Sequence, residues 1–294
     1  EGTDVFLLSY GLPSIKSEFG SDQFKSEYIS YLDKMIKYLD SKGIDSDHFA
    51  LYAIDEPGGH GWDAVNKVVD FGKLVHTTYP DVMIYMDGGG ELPMFKAMAE
   101  VMDVWVPPYD WLPEDIPEMD VVRSVGKNLW SYNCTYSTSR PVGPNVKNIN
   151  IPYEFRTAAL MAFNQGATGI GYWCYNAGKE NPWMRIKSEY NLIYPGRTRP
   201  VTSRRWEAVR EGIEDYRILA VLQKYLDKPG DEEAKNKIKH LIEASLPELV
   251  DGGFQAMKIG LSRESIDLMS NESKVNAFRD EMMECVKLIA HHGN

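Results

Sequence analysis

The feature that most constrains the fold is an alternation of short apolar segments with longer amphipathic segments over the first 176 residues. Six apolar runs have the length of buried strands, and strands are predicted at residues 5–11, 49–54, 82–86, 104–106, 129–132 and 169–174. Segments with helical periodicity separate them, and helices are predicted at residues 22–42, 62–77, 91–102, 116–125 and 152–165. Alternation of this kind is typical of a parallel α/β sheet or barrel.

An eightfold barrel needs two more βα units than these six, and the chain has no internal room for them. The chain begins at Glu1 rather than at a methionine, so we expect the two units to lie upstream. We therefore predict an α/β fold, a TIM-type (β/α) barrel incomplete at its N-terminus, over residues 1–228, followed by a C-terminal helical extension over residues 229–294. A six-stranded open sheet is the alternative. An incomplete barrel would leave its first strand with an open edge, which we expect to contact the missing N-terminal segment or another chain.

The composition excludes several classes of partner. A formal net charge of -11 argues against a nucleic acid or an anionic membrane surface as partner. No apolar run has the length of a membrane span, and the N-terminus of this chain has no signal-peptide pattern. The three cysteines lie far apart in the sequence, and the six histidines form no ligand motif. The sequence therefore predicts neither a metal site nor a cofactor, and it leaves the cellular compartment open.

Two adjacent carboxylates, Asp55 and Glu56, lie where the strand predicted at residues 49–54 ends. Proteins of the α/β class keep their chemistry at the carboxyl ends of their strands, where both side chains can turn toward one ligand. Pro57 disfavours helical geometry at Glu56, and we expect the pair to leave the strand in an extended conformation. The alternative interpretation is a surface turn or a helix N-cap, because Asp and Pro-Gly sequences are common in turns.

Polar and aromatic side chains also follow the other predicted strands. Together with Asp55 and Glu56 they form a predicted rim at one end of the sheet, which includes Asp87, Trp105, Tyr109, Trp130, Tyr132, Trp173, Tyr175 and Asn176. Carboxylates and amides beside aromatic faces suit a carbohydrate, because sugars offer CH faces for stacking and hydroxyl groups for hydrogen bonds. Core packing is the alternative for any single aromatic residue. Turn formation is the alternative for Asp87, which precedes three glycines.

A second distinctive stretch joins a Tyr-Pro-Gly loop at residues 194–196 to a predicted helix that begins after Ser203. Ser203 is suited to the N-cap, and Arg210 and Glu214 are spaced for an ion pair. Charges on one face of a helix are usually solvated, so the residues alone indicate a structural role. As a string, however, Arg-Trp-Glu-Ala-Val-Arg-Glu-Gly-Ile-Glu-Asp-Tyr at residues 205–216 resembles the C-terminal signature of the domain of unknown function 4091, found in glycoside hydrolase family 123.

Two further motifs support this resemblance, which covers roughly residues 45–220. The motif Asp55-Glu56-Pro57 matches the catalytic Asp-Glu pair of that family at the expected distance before the signature, and the aromatic strand at residues 172–176 is similar to the family's Trp-rich last strand. The resemblance departs in two respects. The usual N-terminal β-sandwich and the first barrel units are not in this chain, and its last strand reads Tyr-Trp-Cys-Tyr-Asn rather than the more usual Trp-Gly-Tyr-Asn-x-Trp.

The resemblance implies a β-N-acetylgalactosaminidase that uses substrate-assisted catalysis, in which the 2-acetamido oxygen of the substrate attacks the anomeric carbon. The resemblance implies that Glu56 is the general acid/base and that Asp55 is the carboxylate that orients and stabilises the acetamido nitrogen. An extracellular or periplasmic location also fits the resemblance. We expect a stacking floor and a hydrogen bond to the acetamido oxygen, for which the candidates are Trp130 and Trp173, and Tyr132 or Tyr175, respectively.

Two alternatives stay open. A conventional retaining glycosidase would use Glu56 as the acid and a second carboxylate, such as Asp87 or Asp110, as the nucleophile. A carbohydrate-binding or scaffold protein would keep the aromatic rim without the chemistry. A substrate that lacks the acetamido group separates the two enzymatic mechanisms, because only the conventional one can cleave it.

Overall fold

The structure is a computed structural model that describes residues 6–10, 15–125, 128–133, 152–172, 175, 192–250 and 272–291. The chain divides into two compact units, residues 1–131 and residues 132–294. The first unit contains a sheet covered by helices, and the second unit is mainly helical.

The sheet of the first unit is parallel, and its strands follow one another in chain order. The strands are β1 (Phe6–Tyr10), β2 (Phe49–Tyr52), β3 (Met83–Met86), β4 (Val104–Trp105) and β5 (Asn128–Asn133), the last of which runs into the second unit. Leu51 of β2 lies opposite Ile84 of β3, and Met86 of β3 lies opposite Trp105 of β4. The sheet is curled, and the predicted α/β class with parallel strands is confirmed.

Helices connect the strands of the first unit. They are α1 (Asp22–Asp40), α2 (Trp62–Thr78), α3 (Leu92–Met98) and α4 (Pro117–Ser124). The Ser21 side chain caps α1, because its Oγ accepts the backbone N–H of Phe24 at 3.1 Å. The buried rings of Tyr28 on α1 and Phe71 on α2 meet edge to face with their centroids 5.2 Å apart, which packs the two helices together.

Helix α3 ends at Met98, before the predicted boundary at residue 102, because the chain turns there. The backbone N–H of Val101 donates to the carbonyl of Met98 at 3.0 Å, and the turn leads to the buried Asp103. The Asp103 carboxylate accepts the backbone N–H of Ile84 at 2.7 Å and lies 2.9 Å from His76 Nε2. Asp103 therefore ties α2 to β3 and fixes the entry to β4.

The second unit is built around helices that pack closely on one another. Its elements are α5 (Pro152–Asn164), β6 (Gly169–Tyr172), α6 (Arg204–Leu226), α7 (Glu232–His240) and α8 (Glu272–His291). A Cβ atom at Gly212 of α6 would lie 2.4 Å from the carbonyl oxygen of Arg156 on α5, so only glycine fits at this position. Across the described parts of the chain, no helix combines the length and the apolar character that a membrane span requires.

The start of α6 is fixed by the loop before it. Ser203 is the N-cap as predicted, since its Oγ accepts the backbone N–H of Trp206 at 3.1 Å and also donates to the carbonyl of Leu192. Tyr194 and Val201 pair through two backbone hydrogen bonds of 2.9 Å and 2.8 Å, which closes the Tyr-Pro-Gly loop. A small core beneath this loop consists of Phe155, Leu192, Ile193, Ala208 and Val209, with Tyr172 and Trp206 packed against it.

Candidate active site

Three carboxylates of the first unit lie where two neighbouring strands end. Asp55 and Glu56 follow β2, which ends at Tyr52, and Asp87 comes directly after β3. Because β2 and β3 are adjacent and parallel, their carboxyl ends meet at the same edge of the sheet. The structure therefore brings together Asp55, Glu56 and Asp87, which the sequence analysis selected from separate motifs.

The Tyr52 hydroxyl group links two of these carboxylates. It forms hydrogen bonds with Asp55 Oδ1 and with Asp87 Oδ2, the latter at 2.7 Å. The other oxygen of Asp87, Oδ1, accepts the backbone N–H of Glu56 at 3.0 Å. Asp87 thus holds the turn after β2 from both sides, through the Tyr52 side chain and through the Glu56 backbone.

The backbone at Glu56 contradicts the predicted extended conformation. Glu56 has φ 40° and ψ 55°, and it is the only non-glycine residue with a positive φ in the described part of the chain. A left-handed conformation at such a residue costs on the order of 1–3 kcal/mol. The hydrogen bond from the Glu56 N–H to Asp87 and the short 3₁₀ helix at Pro57–His60 hold this turn in place. The side chains of Asp55 and Glu56 both lie exposed, and that of Asp55 is in addition held by Tyr52.

Two clusters of glycine allow the loops after β2 and β3 to approach each other closely. A Cβ atom at Gly58 would lie 1.7 Å from the carbonyl oxygen of Gly89. At Gly90 it would lie 2.6 Å from the sulfur of Met94 and 2.9 Å from the Cα of Gly58. The glycines therefore let one backbone pack on the other, which fixes the two carboxylate-bearing turns relative to each other. Sequence reasoning missed this role, although both clusters directly follow the carboxylates.

The environment of Asp87 favours its protonated form. The pKa of Asp87 is raised to about 7. Burial is the largest cause and the neighbouring Asp55 carboxylate adds to it, whereas the hydrogen bonds with Tyr52 and the Glu56 N–H oppose it. The largest contributions to this shift come from burial, Tyr52, the Glu56 backbone and Asp55, and none of these is a basic group. A carboxyl group with a pKa near neutrality can carry a proton at physiological pH, and such groups are concentrated at functional sites.

An aromatic row lies beside the carboxylates on one face of the sheet. The Tyr85 ring meets Tyr52 edge to face at 5.0 Å and Trp130 at 6.1 Å. Tyr85 was not selected from the sequence, although it precedes Asp87 by two residues and alternation places both on the same face. Trp105 was expected at the rim, but it is 1% exposed and stacks on Phe95 of α3 at 5.4 Å. The reason is register, because Trp105 pairs with Met86, which faces away from Tyr85.

The remaining predicted site residues have different locations. Tyr109, in the short helix Tyr109–Trp111, is 5% exposed and belongs to the buried part of the first unit. Tyr132 and Tyr175 belong to the second unit, where Tyr132 is half-buried and Tyr175 is 52% exposed, with its ring edge to face with Trp206. Trp173 and Asn176 lie outside the described residues, as does the side chain of Asp110.

A second carboxylate cluster occurs in the second unit, within the motif at residues 205–216. The Asp215 carboxylate is 1% exposed and accepts hydrogen bonds from Arg156 Nε at 2.7 Å and Arg279 Nη1 at 2.9 Å. The expectation of a solvated charged face therefore fails for Asp215, because helices α5 and α8 cover it. It holds for Arg210, which forms the predicted ion pair with Glu214 at an exposed position.

Neither cluster resembles a metal site. Among the residues described, no group of His, Cys, Asp and Glu side chains is arranged to hold a metal ion. Cys285 on α8 is buried and forms no disulfide. The polar groups of the first cluster instead suit proton transfer and hydrogen bonding to an uncharged polar ligand.

An α/β domain with paired carboxylates and aromatic rings at the ends of its parallel strands suits a carbohydrate-active enzyme. The family model described as glycoside hydrolase 123, catalytic domain, matches residues 10–222, which is well over half of the chain. The chain therefore belongs to glycoside hydrolase family 123, and a carbohydrate is its class of substrate. The matched residues include both the Asp55–Glu56 pair and the motif at residues 205–216. A search of the curated proteins found no match to the chain.

Proposed function

We propose that this protein is a retaining glycosidase that releases a terminal N-acetylhexosamine, with N-acetylgalactosamine preferred, by substrate-assisted catalysis. The observation that carries the proposal is the contrast between two adjacent carboxylates. Both are exposed, but the Asp55 side chain is anchored by the Tyr52 hydroxyl group, whereas Glu56 lies at a turn with a strained, left-handed backbone. Within the same proposal, the sheet of the first unit is part of an incomplete TIM-type barrel.

The two carboxylates suit the two tasks of this mechanism. The carbonyl oxygen of the substrate's acetamido group attacks the anomeric carbon while the glycosidic C–O bond breaks, and Glu56 gives its proton to the leaving oxygen. The ionised Asp55 accepts a hydrogen bond from the acetamido N–H and stabilises the positive charge that develops on this group. Glu56 then removes a proton from the water that opens the cyclic intermediate, which restores both residues.

An anchored Asp55 is an advantage because the acetamido oxygen must lie directly under the anomeric carbon. Well-oriented intramolecular reactions gain about 7–11 kcal/mol over the same reaction between free partners. The Tyr52 hydrogen bond restricts the rotation of the Asp55 carboxylate, and the aromatic row of Tyr85 and Trp130 supplies ring surface for a sugar beside it.

The hydrogen bonds and the burial of Asp87 disfavour this residue as the nucleophile of a conventional retaining mechanism. Both of its oxygens already accept or share hydrogen bonds, one with Tyr52 and one with the Glu56 N–H. Burial also raises the pKa of Asp87 to about 7, so a large fraction of the group is protonated and not nucleophilic near neutral pH.

Nitrophenyl glycosides with and without the 2-acetamido group test the proposal. We expect cleavage of nitrophenyl N-acetyl-β-galactosaminide, slower cleavage of the corresponding glucosaminide, and no cleavage of nitrophenyl β-galactoside. A thiazoline analogue of the cyclic intermediate should bind at least 100-fold more tightly than N-acetylgalactosamine, in the range of transition-state analogues (~10²-fold or more). Rapid cleavage of the plain galactoside, with no preference for the thiazoline, would establish the conventional mechanism instead. Sugar binding without any cleavage would indicate a carbohydrate-binding protein.

A further inference from the structure

Tyr52 lies between the carboxylates of Asp55 and Asp87, and its hydroxyl group carries too few protons to form a hydrogen bond with each of them if both are ionised. The Tyr52 hydroxyl group has a single proton, and it lies within hydrogen-bond distance of a carboxylate oxygen on each side. If both carboxylates were ionised, one of them would face a lone pair of the phenol oxygen rather than its proton. A hydrogen-bonded contact on both sides needs a second proton, carried by one of the two carboxyl groups.

We propose that Tyr52 is a positioning residue that holds Asp55 through a proton-bearing chain running from Asp87 Oδ2 through the Tyr52 hydroxyl group to Asp55 Oδ1. In this chain Asp87 is protonated and donates to Tyr52, and Tyr52 donates to an ionised Asp55. The inference deepens the proposed function and rests on the role of Asp55 given there.

The contacts of Asp87 decide which carboxyl group carries the proton. Its Oδ1 faces the backbone N–H of Glu56, which can only donate, so a proton on Asp87 belongs on Oδ2, toward Tyr52. Burial raises the pKa of Asp87, whereas Asp55 lies at an exposed position. The direction of the chain from Asp87 to Asp55 follows from both observations.

The groups that interact most strongly with Asp87 are neutral or acidic. From β2 and the turn after it come the Tyr52 hydroxyl group, the Asp55 carboxylate and the Glu56 backbone, and from β3 comes Tyr85. A second negative charge at Asp87 would therefore repel Asp55 across the phenol. Loss of the Asp87 proton is expected to weaken the hold on Asp55, because the Tyr52 hydroxyl group can then donate its proton to Asp87 instead.

The first test compares Tyr52→Phe with Tyr79→Phe. Tyr79 donates to Asp33 Oδ1 at 3.3 Å, so the control also removes a hydrogen bond between a tyrosine and an aspartate in the same unit. We expect Tyr52→Phe to lower kcat on nitrophenyl N-acetyl-β-galactosaminide and the affinity for the thiazoline, each on the order of 100-fold, because a small misplacement of a catalytic group has effects of this size. Tyr79→Phe should leave both within about twofold, allowing for the usual scatter of remote changes. A Tyr52→Phe variant within the same limits would overturn the proposal.

The second test uses Asp87→Asn, which imitates the protonated carboxyl group. The amide nitrogen can donate to Tyr52 while the amide oxygen accepts the Glu56 N–H. The comparison is made between the single variant Glu56→Gln and the double variant Glu56→Gln/Asp87→Asn, so that the general acid does not titrate in either protein. An activated aryl substrate is used for both. We expect the single variant to lose activity at high pH with a midpoint near the Asp87 pKa of about 7, and the double variant to keep its activity there. An inactive double variant, or an unchanged loss at high pH, contradicts the proposal.

The third test does not depend on activity and separates this inference from the proposed function. An unfolded aspartate has a pKa of about 3.9, so between roughly pH 4 and 7 only the unfolded protein releases the Asp87 proton. The thermal midpoint of the wild type, measured against that of Asp87→Asn, should therefore fall as the pH rises through this range and level off above it. A difference that does not change with pH refutes the shared proton even if the enzyme cleaves its substrate. A pH-dependent difference without cleavage of any 2-acetamido sugar refutes the proposed function alone.

Discussion

Asp87 in the first unit is half-buried and Asp215 in the second is fully buried, and the two carboxylates have opposite kinds of partners. Asp215 lies between the guanidinium groups of Arg156 and Arg279. Asp87 faces a phenol, a backbone N–H and another carboxylate. Burial raises the pKa of both groups, and at Asp215 the two arginines oppose the shift. Asp215, whose partners are two arginines on neighbouring helices, stabilises the packing of those helices. Asp87, whose partners are a phenol, an N–H group and a carboxylate, can hold a proton that is available for chemistry.

The largest effect that tests this comparison is expected in the first unit, from Asp55→Asn and Glu56→Gln. Asp55→Asn should lower kcat by roughly 10³-fold on aryl and alkyl N-acetylgalactosaminides alike, the size of effect seen when a charge-stabilising group is lost. Glu56→Gln should lower cleavage of alkyl glycosides by about 10²–10⁴-fold but spare activated aryl glycosides, because their leaving groups need little protonation.

The matched control for this pair is Asp63→Asn, at an exposed position in the first turn of α2. It should leave both activities at the wild-type level. The steady-state rates on one aryl and one alkyl substrate are the measurement. Equal and mild losses from Asp55→Asn and Glu56→Gln would identify the pair as a structural turn and remove the contrast with Asp215.

In the second unit we expect the opposite result, a loss of stability without a loss of activity. Asp215→Asn removes the buried carboxylate partner of Arg156, which is 5% exposed and keeps the partly exposed Glu211 at 3.4 Å. Breaking a buried pair in this way costs about 3–5 kcal/mol. We expect the free energy of unfolding, measured in urea, to fall by that amount, while kcat per folded molecule stays unchanged. Glu207→Gln is the control, since it removes an exposed partner of Arg210 and should not change stability measurably. A large loss of kcat from Asp215→Asn at full stability would place this cluster in the chemistry.

The same contrast shows how far the sequence could predict the molecule. Asp55 and Glu56 were identifiable because an apolar strand ends there, and Ser203 was identifiable as an N-cap because its signal is local. The partners of these groups were not identifiable. Tyr52 meets Asp87 across 35 residues and Arg156 meets Asp215 across 59, and a sequence pattern carries no record of such distant pairings.

Two misjudged features have the same origin. The left-handed backbone of Glu56 depends on a hydrogen bond to a residue of the next strand, which outweighs the local preference imposed by Pro57. The side chain of Trp105 points toward helix α3 and away from the carboxylates because of the register of β4 with β3. A strand of two residues is too short for the sequence to show this alternation. Local signals therefore placed the elements and the carboxylates, while contacts between elements decided which way they face.

The smallest expected effect concerns the strain at Glu56, which has no counterpart at Asp215. Glu56→Gly removes the side chain that makes a φ of 40° unfavourable, and after the entropic cost of a glycine we expect the folded state to gain about 0.5–1 kcal/mol in urea unfolding. Glu91→Gly is the matched control, because Glu91 is also exposed and precedes a helix, but its φ is -92°. That variant should be neutral or slightly less stable. Glu56→Gly should also lose cleavage of alkyl glycosides, so the same substitution would stabilise the fold and remove the acid. Equal stability changes in the two variants would mean that the turn stores no strain, and that Glu56 is exposed because of its position in the loop alone.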